Sequence, residues 1–167
     1  MNIRFIDTSI MLNLLQVPSR CNKAQEVLND FKRAIEDGDN LILPLATIVE
    51  TGNHIAHIND GNIRRKIAEK FAVFIRASLD NEAPWFYDSC ELSKEDLLYI
   101  ADNFSQKAME KVGLGDISII RQYENFKEKN GAIGKIMIWS VDTHLQMYSE
   151  DLTGMSRRRD MYLTVYI

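Results

Sequence analysis

The chain has 167 residues, of which 46% are apolar and 26% are charged, and its formal net charge at pH 7 is -4. These values fit one globular domain spanning residues 1–167 and exclude a disordered chain. They also exclude a broad basic surface, so a polyanionic ligand would need local basic groups or bound cations. No apolar run is long enough to cross a membrane, and the start MNIRFIDTS does not resemble a secretory signal, so we expect a cytoplasmic protein.

The first third of the chain is predicted to form a strand, two helices and a second strand. The strands are short, apolar runs, and the second one stops at Pro44, whereas the helices have apolar residues at helical spacing. Thr8 and Ser9 are predicted to form a polar turn after the first strand. The segments are residues 3–6, 10–15, 22–35 and 41–43. This order of elements predicts parallel α/β architecture.

The rest of the chain continues the same alternation of helices and strands. Ser93, followed by Asp96, has the sequence of a helix cap. The run 113–115 contains two glycines and is predicted to end that helix just before Asp116. Helices are predicted at residues 46–58, 63–79 and 117–127, and strands at residues 85–87, 135–141 and 162–167.

Four carboxylates lie at the ends of these predicted elements. Asp7 and Asp142 follow two strands, Glu50 lies early in the helix after a third strand, and Asp116 opens a helix. Ligands of open parallel sheets bind outside the carboxyl ends of the strands, so we expect these side chains to meet at one edge of the sheet. Carboxylates this close repel one another unless a cation lies between them. Oxygen ligands without a nearby Cys pair indicate Mg²⁺ or Mn²⁺.

Four segments in this order resemble the motifs of PIN-domain (PilT N-terminus) nucleases. They are FIDTS at 5–9, IVETG at 48–52, GDIS at 115–118 and IWSVD at 138–142. The resemblance implies a three-layer α/β/α sandwich with a mostly parallel central sheet. It also implies a metal-dependent endoribonuclease, and the best-known members of this family are toxins of bacterial type II toxin-antitoxin pairs.

The resemblance implies a role for each matched residue. Asp7, Glu50, Asp116 and Asp142 would hold one or two Mg²⁺ or Mn²⁺ ions, directly or through water. Thr8 or Ser9 would orient Asp7, a bound water or a phosphate oxygen, and Ser140 would support the Asp142 side of the site. The implied partners are RNA, an antitoxin protein that covers the site, and a second copy of the chain in a homodimer.

RNA contacts are predicted outside the acidic positions. Asn53 and His54 lie three and four residues after Glu50, hence on the same helical face, and we expect His54 or its neighbour to contact phosphate. A zinc pair made by the nearby histidines is a less favoured reading. Arg157 and Arg158 belong to a basic run that is either a solvated loop or a phosphate contact.

Simpler readings exist for each of the four acids. Asp7 and Asp116 could be helix N-caps, Glu50 could be an exposed helix residue, and Asp142 could be a turn residue. A phosphohydrolase of the haloacid dehalogenase kind would need a second Asp two residues after the first, where this chain has Ser9. The remaining alternative is a non-catalytic RNA- or protein-binding module with the PIN fold.

Overall fold

Helices and strands alternate along the chain, as the sequence predicts. The computed structural model describes residues 2–80, 82–87, 92–130 and 134–152. The strands are β1 (Ile3–Ile6), β2 (Asn40–Leu43), β3 (Trp85–Tyr87), β4 (Lys135–Trp139) and β5 (Ser149–Asp151). The helices are α1 (Thr8–Leu15), α2 (Ala24–Glu36), α3 (Leu45–Ala56), α4 (Gly61–Leu79), α5 (Lys94–Met109), α6 (Leu114–Lys129) and α7 (Thr143–Gln146). In these ranges we find no helix that combines the length and the apolar character needed to cross a membrane.

The five strands form one sheet in the order β3-β2-β1-β4-β5. The first four strands in this order are parallel, and β5 runs antiparallel to β4. The central strand is β1, in which Ile3 pairs with Asn40 on one side and with Ile136 on the other. The chain builds outward from β1 through β2 and β3 and then returns to the other side, so the strand order reverses between β1 and β4.

Both faces of the sheet are covered by helices. Side chains in β1 alternate between the two faces: Phe5 packs in a buried cluster with α6, and Ile6 packs in a second cluster with α1, α2 and α4. Both side chains have no exposed surface. Helix α5 packs on the outside of α6. These layers confirm the predicted three-layer α/β/α sandwich with a mostly parallel sheet.

Helices α1, α3, α4 and α6 begin one to three residues earlier than the sequence predicts, and two of these differences bear on the predicted site residues. Thr8 and Ser9 belong to the first turn of α1 and not to a turn before it, because Asp7 accepts a hydrogen bond from the Ser9 backbone and caps the helix. Helix α6 begins at Leu114, so the prediction that the run around Gly115 ends the preceding helix is wrong. The glycine is tolerated inside the first turn of a helix whose N-cap is residue 113.

The last strands also differ from the prediction. Strand β4 ends at Trp139, so Asp142 follows it after a two-residue connection and not directly. The edge strand β5 was not predicted, because its sequence SED carries none of the β-branched or aromatic residues that mark strands. The predicted strand at residues 162–167 lies outside the described residues.

A buried ionic contact fixes α5 against α6. Ser93 and Asp96 form the predicted capping box at the start of α5. The carboxylate of Asp96 also accepts hydrogen bonds from Arg121 Nε at 2.7 Å and from Asn125 Nδ2 at 3.0 Å, both on α6. Burial alone would raise the pKa of Asp96, but the Ser93 N–H and hydroxyl, Arg121 and Asn125 together hold that pKa well below its usual value.

Candidate functional site

The four predicted acids line one cleft at the carboxyl ends of the parallel strands. Asp7, Glu50, Asp116 and Asp142 all face this space, which has a volume of about 390 Å³. We call it the acidic cleft. It lies where the strand order reverses between β1 and β4, the position at which ligands bind in open parallel sheets. Elements distant in sequence therefore contribute carboxylates to one place.

Asp7 is held rigidly between β1 and α1. Its side chain is 4% exposed, and its Oδ2 atom accepts hydrogen bonds from the Ser9 backbone N–H at 3.1 Å and from Ser140 Oγ at 2.8 Å. The Ser9 hydroxyl donates to the same oxygen. Asp7 is thus the N-cap of α1, as one of the simpler readings has it. All three donors use Oδ2, which leaves Oδ1 for another ligand.

Ser140 links Asp7 to the Asp142 side of the cleft. Its Oγ atom donates to Asp7 and accepts the Asp142 backbone N–H at 2.9 Å. The Ser9 hydroxyl accepts the Val141 N–H at 3.1 Å, so the connection after β4 is tied to the start of α1. Asp142 itself is exposed and caps the short helix α7 through the His144 N–H at 2.8 Å. It is therefore both a turn residue and a wall of the cleft.

Glu50 faces the cleft and not the solvent side of α3. Its Oε2 atom accepts a hydrogen bond from the buried Thr8 hydroxyl at 3.0 Å. The carboxylate lies against the backbone of Gly115 in α6, and a Cβ atom at that position would overlap it. Glycine at position 115 therefore permits a close approach between α3 and α6 that brings Glu50 beside Asp116.

Asp116 is the third residue of α6. Its Oδ2 atom accepts the Gly113 N–H at 3.2 Å, so the N-cap reading of Asp116 is wrong although its carboxylate still satisfies the helix start. Burial raises the pKa of Asp116, and the negative charges of Asp7, Glu50 and Asp142 raise it further. Asp116 is therefore repelled by the other three carboxylates, and a cation bound beside it would relieve this repulsion.

The donor atoms of the acidic cleft fit Mg²⁺ or Mn²⁺ better than zinc. No group of three or more His, Cys, Asp or Glu side chains in the described ranges is arranged to hold a metal ion. Mg²⁺ does not need such a group, because it keeps several waters and is usually held by one or two carboxylates together with substrate phosphates. The free Oδ1 atom of Asp7 and the mutual repulsion felt by Asp116 are consistent with a hydrated divalent cation.

The sequence did not reveal two residues that line the cleft, Asn13 in α1 and Arg20 in the α1–α2 connection. Asn13 is 2% exposed; its Nδ2 donates to the Ser9 carbonyl and its Oδ1 accepts the Lys23 N–H. The bond from Lys23 ties the α1–α2 connection, which carries Arg20, to α1. Arg20 is exposed and is the one Lys or Arg that lines the cleft in the described part of the chain. An Asn within the apolar run IMLNLL was the available signal, since a buried amide needs partners.

The predicted RNA contacts fall in different places. His54 lines the acidic cleft, together with Glu50. Asn53 is exposed and lines a separate groove on the other side of Glu50. Arg157 and Arg158 lie outside the described residues.

Comparison with known proteins identifies no family for this chain. No protein-family model matches the sequence, and no curated protein matches it. The acidic cleft itself is therefore the guide to function.

Proposed function

We propose that the protein is a Mg²⁺- or Mn²⁺-dependent endoribonuclease of the PIN-domain type that hydrolyses phosphodiester bonds of RNA in the acidic cleft. The convergence of Asp7, Glu50, Asp116 and Asp142 on one cleft carries the proposal. Like charges that lie close together are costly, most of all where one of them is buried as Asp7 is, so a protein that places them together needs a reason to keep them there. Binding a cation beside a phosphate supplies that reason.

In the acidic cleft the carboxylates would bind the metal ion, and neighbouring hydroxyl groups orient the carboxylates. When bound, the metal supplies Lewis-acid chemistry, because it acidifies water and offsets the charge that builds on phosphate oxygens during hydrolysis. Asp7 presents Oδ1 because its other oxygen is occupied by Ser9 and Ser140. Thr8 holds Glu50 in place through one carboxylate oxygen. The hydroxyls thus keep the carboxylates oriented before any ligand arrives.

One positive charge, that of Arg20, and two imidazole side chains are available to the RNA backbone next to the acids. Arg20 and His54 line the acidic cleft and also line a second depression, which His57 extends. An RNA backbone that lies along this depression would lead directly into the acidic cleft, because the two spaces share Arg20 and His54. Arg20 and the bound metal would attract RNA at this place, although the net charge of the whole chain is negative.

RNA cleavage with Mn²⁺ tests the proposal. Purified protein should cut single-stranded RNA when Mn²⁺ is present and stop when EDTA is added. Asp7→Asn and Asp116→Asn should each lower the rate by more than about 100-fold, because even partners of metal ligands contribute about 10- to 100-fold. Asp102→Asn, which changes an exposed carboxylate on α5, should leave the rate unchanged. RNA binding without cleavage at every Mn²⁺ concentration would favour the non-catalytic binding module.

The same proposal includes a cytoplasmic toxin that forms a homodimer and is restrained by an antitoxin. Expression of the wild-type chain alone in bacteria should arrest growth, and Asp7→Asn should relieve the arrest. Analytical ultracentrifugation should show a dimer. Normal growth with active protein present would contradict the toxin role but not the nuclease activity.

A further inference from the structure

An apolar groove opens beside the acidic cleft and has no role in the function proposed so far. It has a volume of about 640 Å³ and lies between α3, α6 and the end of β3. Leu45, Val49 and Leu114 form its walls, with 57%, 53% and 50% of their surfaces exposed. Tyr87 adds an aromatic ring. Large apolar side chains left this open and next to one another mark a binding surface.

The apolar groove and the acidic cleft share a wall. Glu50 lines both spaces, and Gly115, which admits its carboxylate, lines the groove. A ligand group bound in the groove is therefore a neighbour of a group bound at the carboxylates. For an RNA whose phosphate lies in the acidic cleft, the neighbouring group is the base of an adjoining nucleotide.

The apolar groove contains a polar side chain, Gln122, that has no hydrogen-bond partner among the described residues. Gln122 is 8% exposed, and its amide makes no hydrogen bond with any residue that the structure describes. The amide is not among the fully buried polar atoms that lack a partner in the described residues, so it still reaches the open groove and can bond a ligand that enters it. Asn53 and Ser118 line the same groove, although the Ser118 hydroxyl already donates to the Leu114 carbonyl at 2.8 Å. Gln122 is the most buried of these polar groups.

We propose that the apolar groove is a subsite for one unpaired base of single-stranded RNA, next to the phosphate that is cut, and that Gln122 reads the edge of this base. The inference rests on the proposed nuclease function. A flat base matches the apolar walls and the Tyr87 ring, because proteins recognise single-stranded RNA by stacking splayed bases and bonding their edges. An amide pairs with such an edge because it offers a donor and an acceptor side by side. An apolar peptide side chain would fill the groove but leave Gln122 unpaired.

The test measures base preference at the cut site. Wild-type protein with Mn²⁺ is given single-stranded RNA pools randomised around one position, and the products are sequenced. We expect a preference of about tenfold for one base beside the cleaved bond, the size expected of a bidentate amide contact. Gln122→Leu, which keeps the volume but removes the amide, should reduce that preference to about twofold or less. Gln25→Leu, on the exposed face of α2, should keep it.

An RNA with an abasic site at the same position distinguishes recognition of the base from cleavage of the phosphodiester bond. Wild type and Gln122→Leu should cut the abasic RNA at equal rates, with a higher KM than wild type has for intact RNA. Cleavage with no base preference, or a preference that survives Gln122→Leu, would overturn the subsite, leave the nuclease intact and favour a protein partner for the groove. Failure of wild type to cut any RNA would instead overturn the proposed function and the subsite with it.

Discussion

Ser140→Ala should destabilise the protein because one hydroxyl joins two sides of the acidic cleft. The substitution deletes the hydrogen bond from Ser140 Oγ to Asp7 Oδ2 at 2.8 Å and the one it accepts from the Asp142 N–H at 2.9 Å. It leaves the Asp7 carboxylate with fewer donors at a position that is 4% exposed. The alanine side chain is smaller than that of serine and creates no clash, so the loss of these two hydrogen bonds is the main effect.

The size of the effect follows from the two bonds. A hydrogen bond to a charged group contributes about 1.5 to 3 kcal/mol to the free energy of unfolding, and a bond between neutral groups contributes about 0.5 to 1.5 kcal/mol. The Asp142 N–H is only partly buried and gains water in the variant, so we expect a total loss of about 2 to 3 kcal/mol. Ser78→Ala is the matched control, because the buried Ser78 hydroxyl bonds only to the Ile75 carbonyl of its own helix.

Urea unfolding followed by circular dichroism measures the difference. Ser140→Ala should lower the unfolding midpoint without changing the slope, and Ser78→Ala should cost less than about 1 kcal/mol, since a bond from Ser to its own helix contributes little. Equal losses for the two variants would refute the reasoning. Such a result would mean that the Ser140 hydroxyl, which links Asp7 to Asp142, contributes no more to the free energy of unfolding than the buried Ser78 hydroxyl does.

Three further predictions concern other parts of the molecule. Gly115→Ala should leave the free energy of unfolding nearly unchanged but weaken Mn²⁺ binding about 10- to 100-fold, because the new Cβ displaces the Glu50 carboxylate. Calorimetric titration measures the binding. The control is Gly52→Ala, whose Cβ would meet nothing within 4 Å and which should bind Mn²⁺ as wild type does. The pKa of Asp96 is lower in the folded protein than in the unfolded chain, where it is about 3.9. Its contribution to stability is therefore complete above that pH and is lost as the pH falls toward the pKa of the folded state. Asp96→Asn should accordingly make stability depend less on pH in the acid range. An unchanged pH dependence in that variant would contradict this assignment. Gln122→Leu should not lower the Tm, because the amide makes no hydrogen bond with a described residue and leucine adds apolar surface at a position that is 8% exposed; a lower Tm would show that the amide has a partner.

Much of the fold could be predicted because the buried strands are short apolar runs. Each of the runs that form β1, β2 and β4 is covered on both faces, which requires apolar residues almost throughout and makes the strands visible in sequence. Strand β5 could not be predicted, because an edge strand held by backbone bonds to β4 needs no apolar side chains. Its sequence SED carries no pattern that distinguishes it from a loop.

The acids could be predicted as a group, but their local roles could not. Asp7 follows a strand and caps a helix, and both facts were readable from its neighbours. Gly115 misled the prediction, since a glycine before Asp116 resembles a helix end, whereas here it admits the Glu50 carboxylate from another helix. Arg20 reaches the cleft because Asn13 anchors the loop that carries it, and contacts between distant segments leave no local signal.

Mn²⁺ titration of the metal-free protein, followed by electron paramagnetic resonance and calorimetry, tests most directly the claim that the four carboxylates form a cation site. Wild type should bind Mn²⁺ and gain thermal stability as it binds. Asp7→Asn and Asp116→Asn should each lose most of this binding, and Asp102→Asn should bind as wild type does. Equal Mn²⁺ binding by all four proteins, or none by wild type, would contradict a metal site in the acidic cleft.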